Sequence, residues 1–380
     1  MGYKIIDSTF PAGNYYFSGN EALAEGAIAA GCRYYGGYPI TPSSDIMERI
    51  SVRFKDVHGV FMQMEDEIAS ICSVTGAVWA GAKAMTATSG PGFSLMQEGI
   101  GYAALTETPL VIADIQRAGP GTGQATRVAS GDLMQAKWGS HGDYCIIALS
   151  PWSVQEMYDL TIEAFNLAEQ YRVPVFIMGE EAIGHLRERM EIPQKITVCD
   201  REKSPGSPPF GTQADDGIPP MPAFGEGEKL LVTGSTHNEI GIRKTDDPEV
   251  HSRLVNRINK KILNNRDKII HTDTYHLEDA EVIVVSYGFT ARSALFAIEQ
   301  LRKEREKVGL LRLKTIWPFA DAMISDIGQR AKRIFVPEMN RGQIMGEVMK
   351  YAPCEVIPYN QTNGEIIHPH TLIKELRSLL

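Results

Sequence analysis

Three phrases between Gly37 and Gly92 decide how this chain folds: Tyr38-Pro39-Ile40-Thr41-Pro42-Ser43-Ser44, Gln63-Met64-Glu65-Asp66-Glu67-Ile68-Ala69 and Thr88-Ser89-Gly90-Pro91-Gly92. Each closes a short β-branched or aromatic run and opens a helical one. Repeated at this spacing, strand, turn and helix describe an α/β fold with a doubly wound parallel sheet. Ligands gather at the carboxyl ends of such strands, where all three phrases lie.

Outward from these phrases the rhythm continues. Residues 19–31 read as a helix capped by Ser18 or Asn20 and stopped by Gly31. Strands are expected at 33–38, 60–64, 84–88, 110–115, 144–149 and 173–178. The helix after Glu65 is expected to turn Ile68, Ile71, Cys72 and Val78 inward, with Gly76 packed close to the sheet. Residues 117–142 break the rhythm as a long Gly-, Thr- and Ser-rich loop. These elements make a first domain of residues 1–188. Residues 189–268 are Pro-rich and read as a linker or surface arm, with a short strand at 230–234 and a helix at 247–263. From 269 to 380 strands and helices alternate again, as a second, smaller α/β domain.

Composition narrows the function. Net charge is −9 and no Lys/Arg cluster dominates a face, so a nucleic-acid surface is excluded. The basic run from Arg253 to Lys261 reads as a solvated helix face. No apolar run is long enough to span a membrane and the N-terminus has no secretory h-region, so the expected location is cytoplasmic. The five cysteines (Cys32, Cys72, Cys145, Cys199, Cys354) are scattered without a C-x-x-C pair. They predict reduced thiols, most of them in the core, and no metal or cluster site within this chain.

Glu65 ends a strand and starts a helix. Alone, it reads as an acid complementing the helix dipole, as Asp66 or Glu67 would. It lies 25 positions before Gly90 in the Thr-Ser-Gly-Pro-Gly turn. At that spacing the sequence resembles the pyrimidine-binding module of thiamine diphosphate enzymes. The resemblance implies that Glu65 bonds N1′ of the aminopyrimidine, and that Ser89, Gly90, Pro91 and Gly92 let backbone approach the ring. On residues alone, tight packing serves the turn equally well, ahead of phosphate binding.

The first phrase, Tyr-Pro-Ile-Thr-Pro-Ser-Ser, places Thr41 as a plain helix cap with Pro42 behind it. It also resembles the signature of 2-oxoacid:ferredoxin oxidoreductases, which implies that the Thr41 hydroxyl contacts the 2-oxoacid, with Tyr38 beside it. Arg117-Ala118-Gly119-Pro120-Gly121-Thr122-Gly123 is similar to a segment of that family's α subunits, with Gly121 and Ala125 where the family has Ser and Pro. It implies that Arg117 clamps the substrate carboxylate. Arg127 is read as meeting a distal carboxylate or as an exposed structural Arg. Thr233-Gly234-Ser235-Thr236-His237 and Glu338-Met339-Asn340-Arg341-Gly342-Gln343 extend the resemblance over nearly the whole chain, His237 reading as structural by itself.

Gly131-Asp132-Leu133 and the Gln-Met-Glu-Asp-Glu-Ile phrase bring the sequence nearer the 2-oxoglutarate branch than the pyruvate branch. The resemblance implies an α subunit that joins 2-oxoglutarate, coenzyme A and ferredoxin to give succinyl-CoA and CO₂. It also implies a second domain similar to the C-terminal domain of transketolase. No Gly-Asp-Gly diphosphate motif occurs in a fitting context. Thiamine diphosphate is therefore expected to be shared with a β subunit that carries Mg²⁺ and an iron–sulfur cluster, alongside small γ and ferredoxin-like δ subunits. The competing readings are the same chemistry on pyruvate or a branched-chain or aryl 2-oxoacid, a nicotinamide dehydrogenase (against which the missing G-x-G-x-x-G counts), and a non-catalytic scaffold subunit.

Overall fold

The computed structural model describes residues 2–380. It opens on two strands that the sequence reading did not anticipate, β1 (Gly2–Asp7) and β2 (Gly13–Ser18). Ser18 then caps the helix Gly19–Ala29 in a reciprocal box with Glu21, which satisfies two N–H groups otherwise left open at the helix start. Next come β3 (Cys32–Gly37), the helix Ser44–Arg53, β4 (Val60–Gln63), the helix Glu67–Trp79, β5 (Lys83–Thr88) and the short helices Gly90–Leu95 and Gln97–Leu105. The first domain continues through β6 (Val111–Ala118), β7 (Gln124–Val128), the helix Leu133–Trp138, β8 (Ile147–Leu149), the helix Val154–Tyr171 and β9 (Val175–Glu180). The stretch expected as one long loop thus contains a hairpin strand on β6 and a helix.

These strands lie in the order β8-β9-β6-β5-β3-β4, all parallel, with β7 hanging antiparallel on β6. The chain departs from β3 in both directions, to β4 on one side and β5 on the other. The carboxyl ends of β3 and β5 therefore form the switch point where a crevice opens. Along β6, Val111, Ala113 and Ile115 join a core with Ile28 and Phe165, while Ile112 joins a second core with Ile71 and Phe93. Both faces are buried, which is why the strand reads as a continuous apolar run.

In the helix Glu67–Trp79 the buried face is Ile71, Val74, Thr75 and Val78. Ile68, Cys72 and Gly76, expected inside, are exposed. They follow each other at intervals of four on the neighbouring stripe, and a Cβ on Gly76 would meet nothing within 4 Å. Cys32 and Cys199 are buried, Cys72 is exposed, and all five cysteines are unpaired.

The expected linker is built into the fold. β10 (Arg187–Ile192) and β11 (Lys195–Asp200) return antiparallel against β2 and β1. Residues 230–234, expected as a strand, join no ladder. Phe210, Ile218, Met221 and Ala223 are buried rather than on a surface arm. Arg172, 1% exposed, donates to the carbonyls of Pro209, Pro219 and Pro220 at 2.6, 3.2 and 2.9 Å. A guanidinium fork thus satisfies carbonyls in a segment whose prolines bring no N–H to a ladder.

The helix Pro248–Leu263 carries the basic run. Its inward face holds Val250, Leu254, Ile258 and Ile262, and Arg257 and Lys261 share it. Lys261 Nζ donates to Glu107 Oε2 and to the Arg172 carbonyl, both at 2.7 Å. Arg257 takes the two Glu107 oxygens at 2.5 and 2.8 Å. At these positions the run is a buried ion cluster, not a solvated face. Burial works to raise the Glu107 carboxyl, but Lys261, Arg257 and Arg172 overcome it and hold the group below the usual carboxylate range. Burial pulls Lys261 down to about 8, against the opposing charge of Glu107.

The second sheet uses β12 (Thr272–Tyr275), β13 (Val282–Ser286) and β14 (Val308–Leu313). After β15 (Thr315–Trp317), β16 (Arg333–Glu338) and β17 (Glu355–Asn360) complete it. The order is β12-β14-β13-β16-β17, parallel except for β12. β15 leaves this sheet and pairs antiparallel with β8, extending the first one. Ile283, Leu311, Trp317 and Ile334 pack in the same apolar cluster as Ile112 and Phe176. No helix among the described residues is long and apolar enough to cross a membrane.

Candidate active site

The β3 turn is held from two sides. Asn20 Nδ2 donates to the Pro42 carbonyl at 2.8 Å. Arg117 Nη1 donates to the Thr41 carbonyl at 2.7 Å, and its Nη2 to the Thr122 carbonyl at 2.9 Å. Arg117 is 9% exposed and its buried Nε has no partner. The structure therefore brings Thr41 and Arg117 together, with donors of the guanidinium left over. Thr41 is not the helix cap. The helix begins at Ser44 after Ser43, whose hydroxyl donates to the Ile40 carbonyl at 2.9 Å. Thr41 and Tyr38 are both exposed beside this turn.

At the end of β4 the three acids separate. Glu65 is exposed. Asp66 is the helix cap, its carboxylate accepting from the Ala69 N–H at 2.7 Å. Glu67 is 4% exposed and lies against the β5 turn. A Cβ added to Gly92 would overlap Glu67 Oε1 and Thr88 Oγ1 together. Burial raises the Glu67 carboxyl; its own N–H pulls the other way, and the charge of Asp66 adds to the rise. The carboxyl that meets the Thr-Ser-Gly-Pro-Gly turn is thus Glu67, 23 positions before Gly90, and not Glu65. The signal was in the sequence: Glu67, Ile71, Val74 and Val78 follow one inward stripe, which Glu65 leaves.

Ser89 precedes the helix Gly90–Leu95 without capping it, and Pro91 sits in the first turn. The hydroxyls of Ser89 and Thr88 are buried and have no hydrogen-bond partner among the described residues. Buried polar groups rarely stay unpaired. These two, the Glu67 carboxyl and the bare Gly92 floor fit a flat heteroaromatic ring bearing both donors and acceptors, such as an aminopyrimidine.

Arg127 is engaged elsewhere, its Nη1 donating to Glu365 at 2.7 Å in an exposed pair. His237 is buried, its Nδ1 on the Ser235 carbonyl at 2.8 Å and its ring edge on Phe210. The Glu-x-Asn-x-Gly-Gln phrase docks the second domain onto the first. Asn340 Nδ2 donates to the Ser130 carbonyl at 2.7 Å, and Gln343 Oε1 accepts from the Met134 N–H at 2.9 Å. Glu338 accepts from Tyr287 and from the N–H groups of Ile344 and Met345. Buried acids that the sequence reading did not single out include Asp114 on β6 and Glu180 on β9.

Residues 25–257 match the family described as pyruvate flavodoxin/ferredoxin oxidoreductase, thiamine diphosphate-binding. Residues 280–372 match pyruvate:ferredoxin oxidoreductase core domain II. The chain belongs to the 2-oxoacid:ferredoxin oxidoreductase family. It is 49% identical over 376 residues to the 2-oxoglutarate synthase subunit KorA of Methanothermobacter marburgensis, covering 96% of this chain and 99% of that one. A solved 2-oxoglutarate:ferredoxin oxidoreductase from Magnetococcus marinus, with 2-oxoglutarate, coenzyme A and succinyl-CoA bound, superposes with a TM-score of 0.91 at 31% identity. That match covers 96% of this chain and 65% of the solved one. A split-gene transketolase shares the fold alone, with a TM-score of 0.53 at 12% identity.

Proposed function

We propose that this chain is the α subunit of a thiamine diphosphate-dependent 2-oxoglutarate:ferredoxin oxidoreductase, and that it supplies the pyrimidine side of the active site. The observation that carries the reading is the Glu67 carboxyl, buried against Gly92 beside two unpartnered hydroxyls. Thiamine diphosphate, when bound, supplies the nucleophilic carbon and the electron sink for loss of CO₂. Glu67 takes the role that spacing had given to Glu65, holding a proton at the pyrimidine nitrogen. Burial that raises its pKa suits a group that must hold a proton there and pass it on. Gly90, Pro91 and Gly92 admit the ring, with Ser89 and Thr88 as its polar neighbours. Thr41 and Arg117 orient the carboxylate of the 2-oxoacid, and Tyr38 flanks it.

A β subunit would bring Mg²⁺, the diphosphate site and an iron–sulfur cluster, which would supply the electron path to ferredoxin. Coenzyme A receives the acyl group, and γ and ferredoxin-like δ subunits complete the assembly. Five scattered, unpaired cysteines support both a cluster on another chain and a reducing, cytoplasmic location.

The test is turnover by the assembled complex with 2-oxoglutarate, pyruvate and 2-oxoisovalerate. Glu67→Gln should lower kcat at least ~100-fold, while Glu65→Gln stays within about threefold of wild type. A complex that Glu67→Gln leaves active, or that prefers pyruvate, overturns the corresponding part of the reading.

A further inference from the structure

Asp114 lies in the middle of β6, between Ala113 and Ile115, and is 0% exposed. The register of β5 on β6 sets it opposite Thr88, the first residue of the glycine turn. Asp132 approaches from the following loop. It precedes the helix Leu133–Trp138 but its side chain does not cap it. The carboxyl faces inward instead, with Oδ2 3.7 Å from where a Cβ on Gly90 would stand.

The loop is fixed on both sides. The Asp132 N–H donates to Gln116 Oε1 at 3.0 Å. Asn340 and Gln343 of the second domain hold the carbonyls of Ser130 and Gly131. Both oxygens of Asp114 and Oδ2 of Asp132 are buried, and no other group among the described residues donates to them. Two facing carboxyls that are both ionised have only lone pairs to offer each other. One proton between them converts that clash into a charge-assisted hydrogen bond.

We propose that Asp114 and Asp132 share one proton and form a positioning pair that sets the charge around Arg117 and the Gly90 turn for the anionic substrate. The proposal rests on Arg117 as the carboxylate site. It adds what sets the charge there. With one proton the pair carries a single negative charge, which matches the single positive charge of Arg117. Without the proton, two negative charges face an arriving carboxylate. With two protons, the buried guanidinium loses its counter-charge.

The charges that act on the pair are its own and that of Arg117. Burial raises both carboxyls. The neighbouring carboxyl raises Asp114 further, well above the usual range, while Asp114's hydrogen bond and Arg117 restrain Asp132. Asp114, with both oxygens buried and unpartnered, is the proton carrier, and Asp132 carries the charge on which Arg117 acts.

Two variants separate these roles in the assembled complex. Asp114→Asn replaces the shared proton by an amide N–H and keeps the Asp132 charge. It should abolish the rise of KM at alkaline pH. Asp132→Asn takes the charge from beside Arg117 and should raise KM at least ~10-fold with a smaller change in kcat. Equal KM effects from both variants, or an unchanged pH profile in Asp114→Asn, would overturn the proposal.

Infrared difference spectra of the full chain give a readout that needs no turnover. A protonated-carboxyl band at neutral pH that survives Glu180→Gln should vanish in Asp114→Asn. Its absence from the wild type refutes the shared proton whatever the complex does. A complex that oxidises no 2-oxoacid refutes the functional reading and the substrate half of this proposal, and the band still decides the other half.

Discussion

Replacing Glu180 by Gln should remove a pH dependence from the stability of the whole chain. Glu180 ends β9 and is 0% exposed. Its Oε2 accepts from the Phe289 N–H at 2.8 Å, and its Oε1 is buried without a partner. It fills the space over Gly288, where φ is +52° and a Cβ would stand 2.5 Å from Oε1. Burial pushes this carboxyl up from 4.5 to about 8, against the pull of the Phe289 N–H.

The sign follows from proton counting. Below pH 4.5 the group is protonated in folded and unfolded chains alike. Between 4.5 and about 8 the folded chain keeps a proton that the unfolded chain has released. Stability therefore falls as pH rises, by roughly 1.4 kcal/mol per pH unit. From about pH 5.5 to about pH 8 the loss is roughly 3 kcal/mol. Glutamine keeps an oxygen for the Phe289 N–H and has nothing to titrate.

Urea denaturation of both proteins at several pH values gives the difference directly, because every other titrating group cancels. The stability of Glu180→Gln relative to wild type should rise by about that amount across the interval. A difference that stays flat would mean that Glu180 is ionised in its buried site, and the argument from burial would fail.

Two further outcomes are expected. Lys261→Met should destabilise the chain by about 3 kcal/mol, read by the same denaturation, because it leaves a buried carboxylate short of one partner; the residual pairing of Glu107 with Arg257 keeps the loss from being larger. Gly92→Ala should block thiamine diphosphate binding to the assembled complex, measured by quenching of tryptophan fluorescence, while the chain still folds; the atoms nearest its Cβ belong to the side chains of Thr88 and Glu67.

The fold was legible where alternation and turn chemistry agreed. β6 announces itself through Val111, Ile112, Ala113 and Ile115, and both helical layers follow from it. The pairing of β1 with β11 and of β2 with β10 was not legible, since it joins segments some 180 residues apart in the chain. Helix phase was the recurrent error. Placing Ile68 and Cys72 inside shifted the stripe of one helix and hid Glu67. The same oversight made Lys261 and Arg257 look solvated, although they lie on the stripe of Leu254 and Ile258. Thr41 and Arg117 were identified by motif, but their contact runs through a backbone carbonyl that no motif encodes. Asp114 and Glu180 were visible only as acids inside apolar strands, a pattern whose meaning depends on what faces them.

β15 gives the chain an unusual grammar. It is spelled within the second domain and read within the first, as the strand beside β8. Wherever a boundary is drawn from 189 to 268, the first sheet takes one strand from beyond it. Cutting there would strip the first sheet of an edge and expose the apolar cluster that Trp317 shares with Phe176. The two halves share a sheet edge and an apolar cluster, and neither keeps its packing without the other.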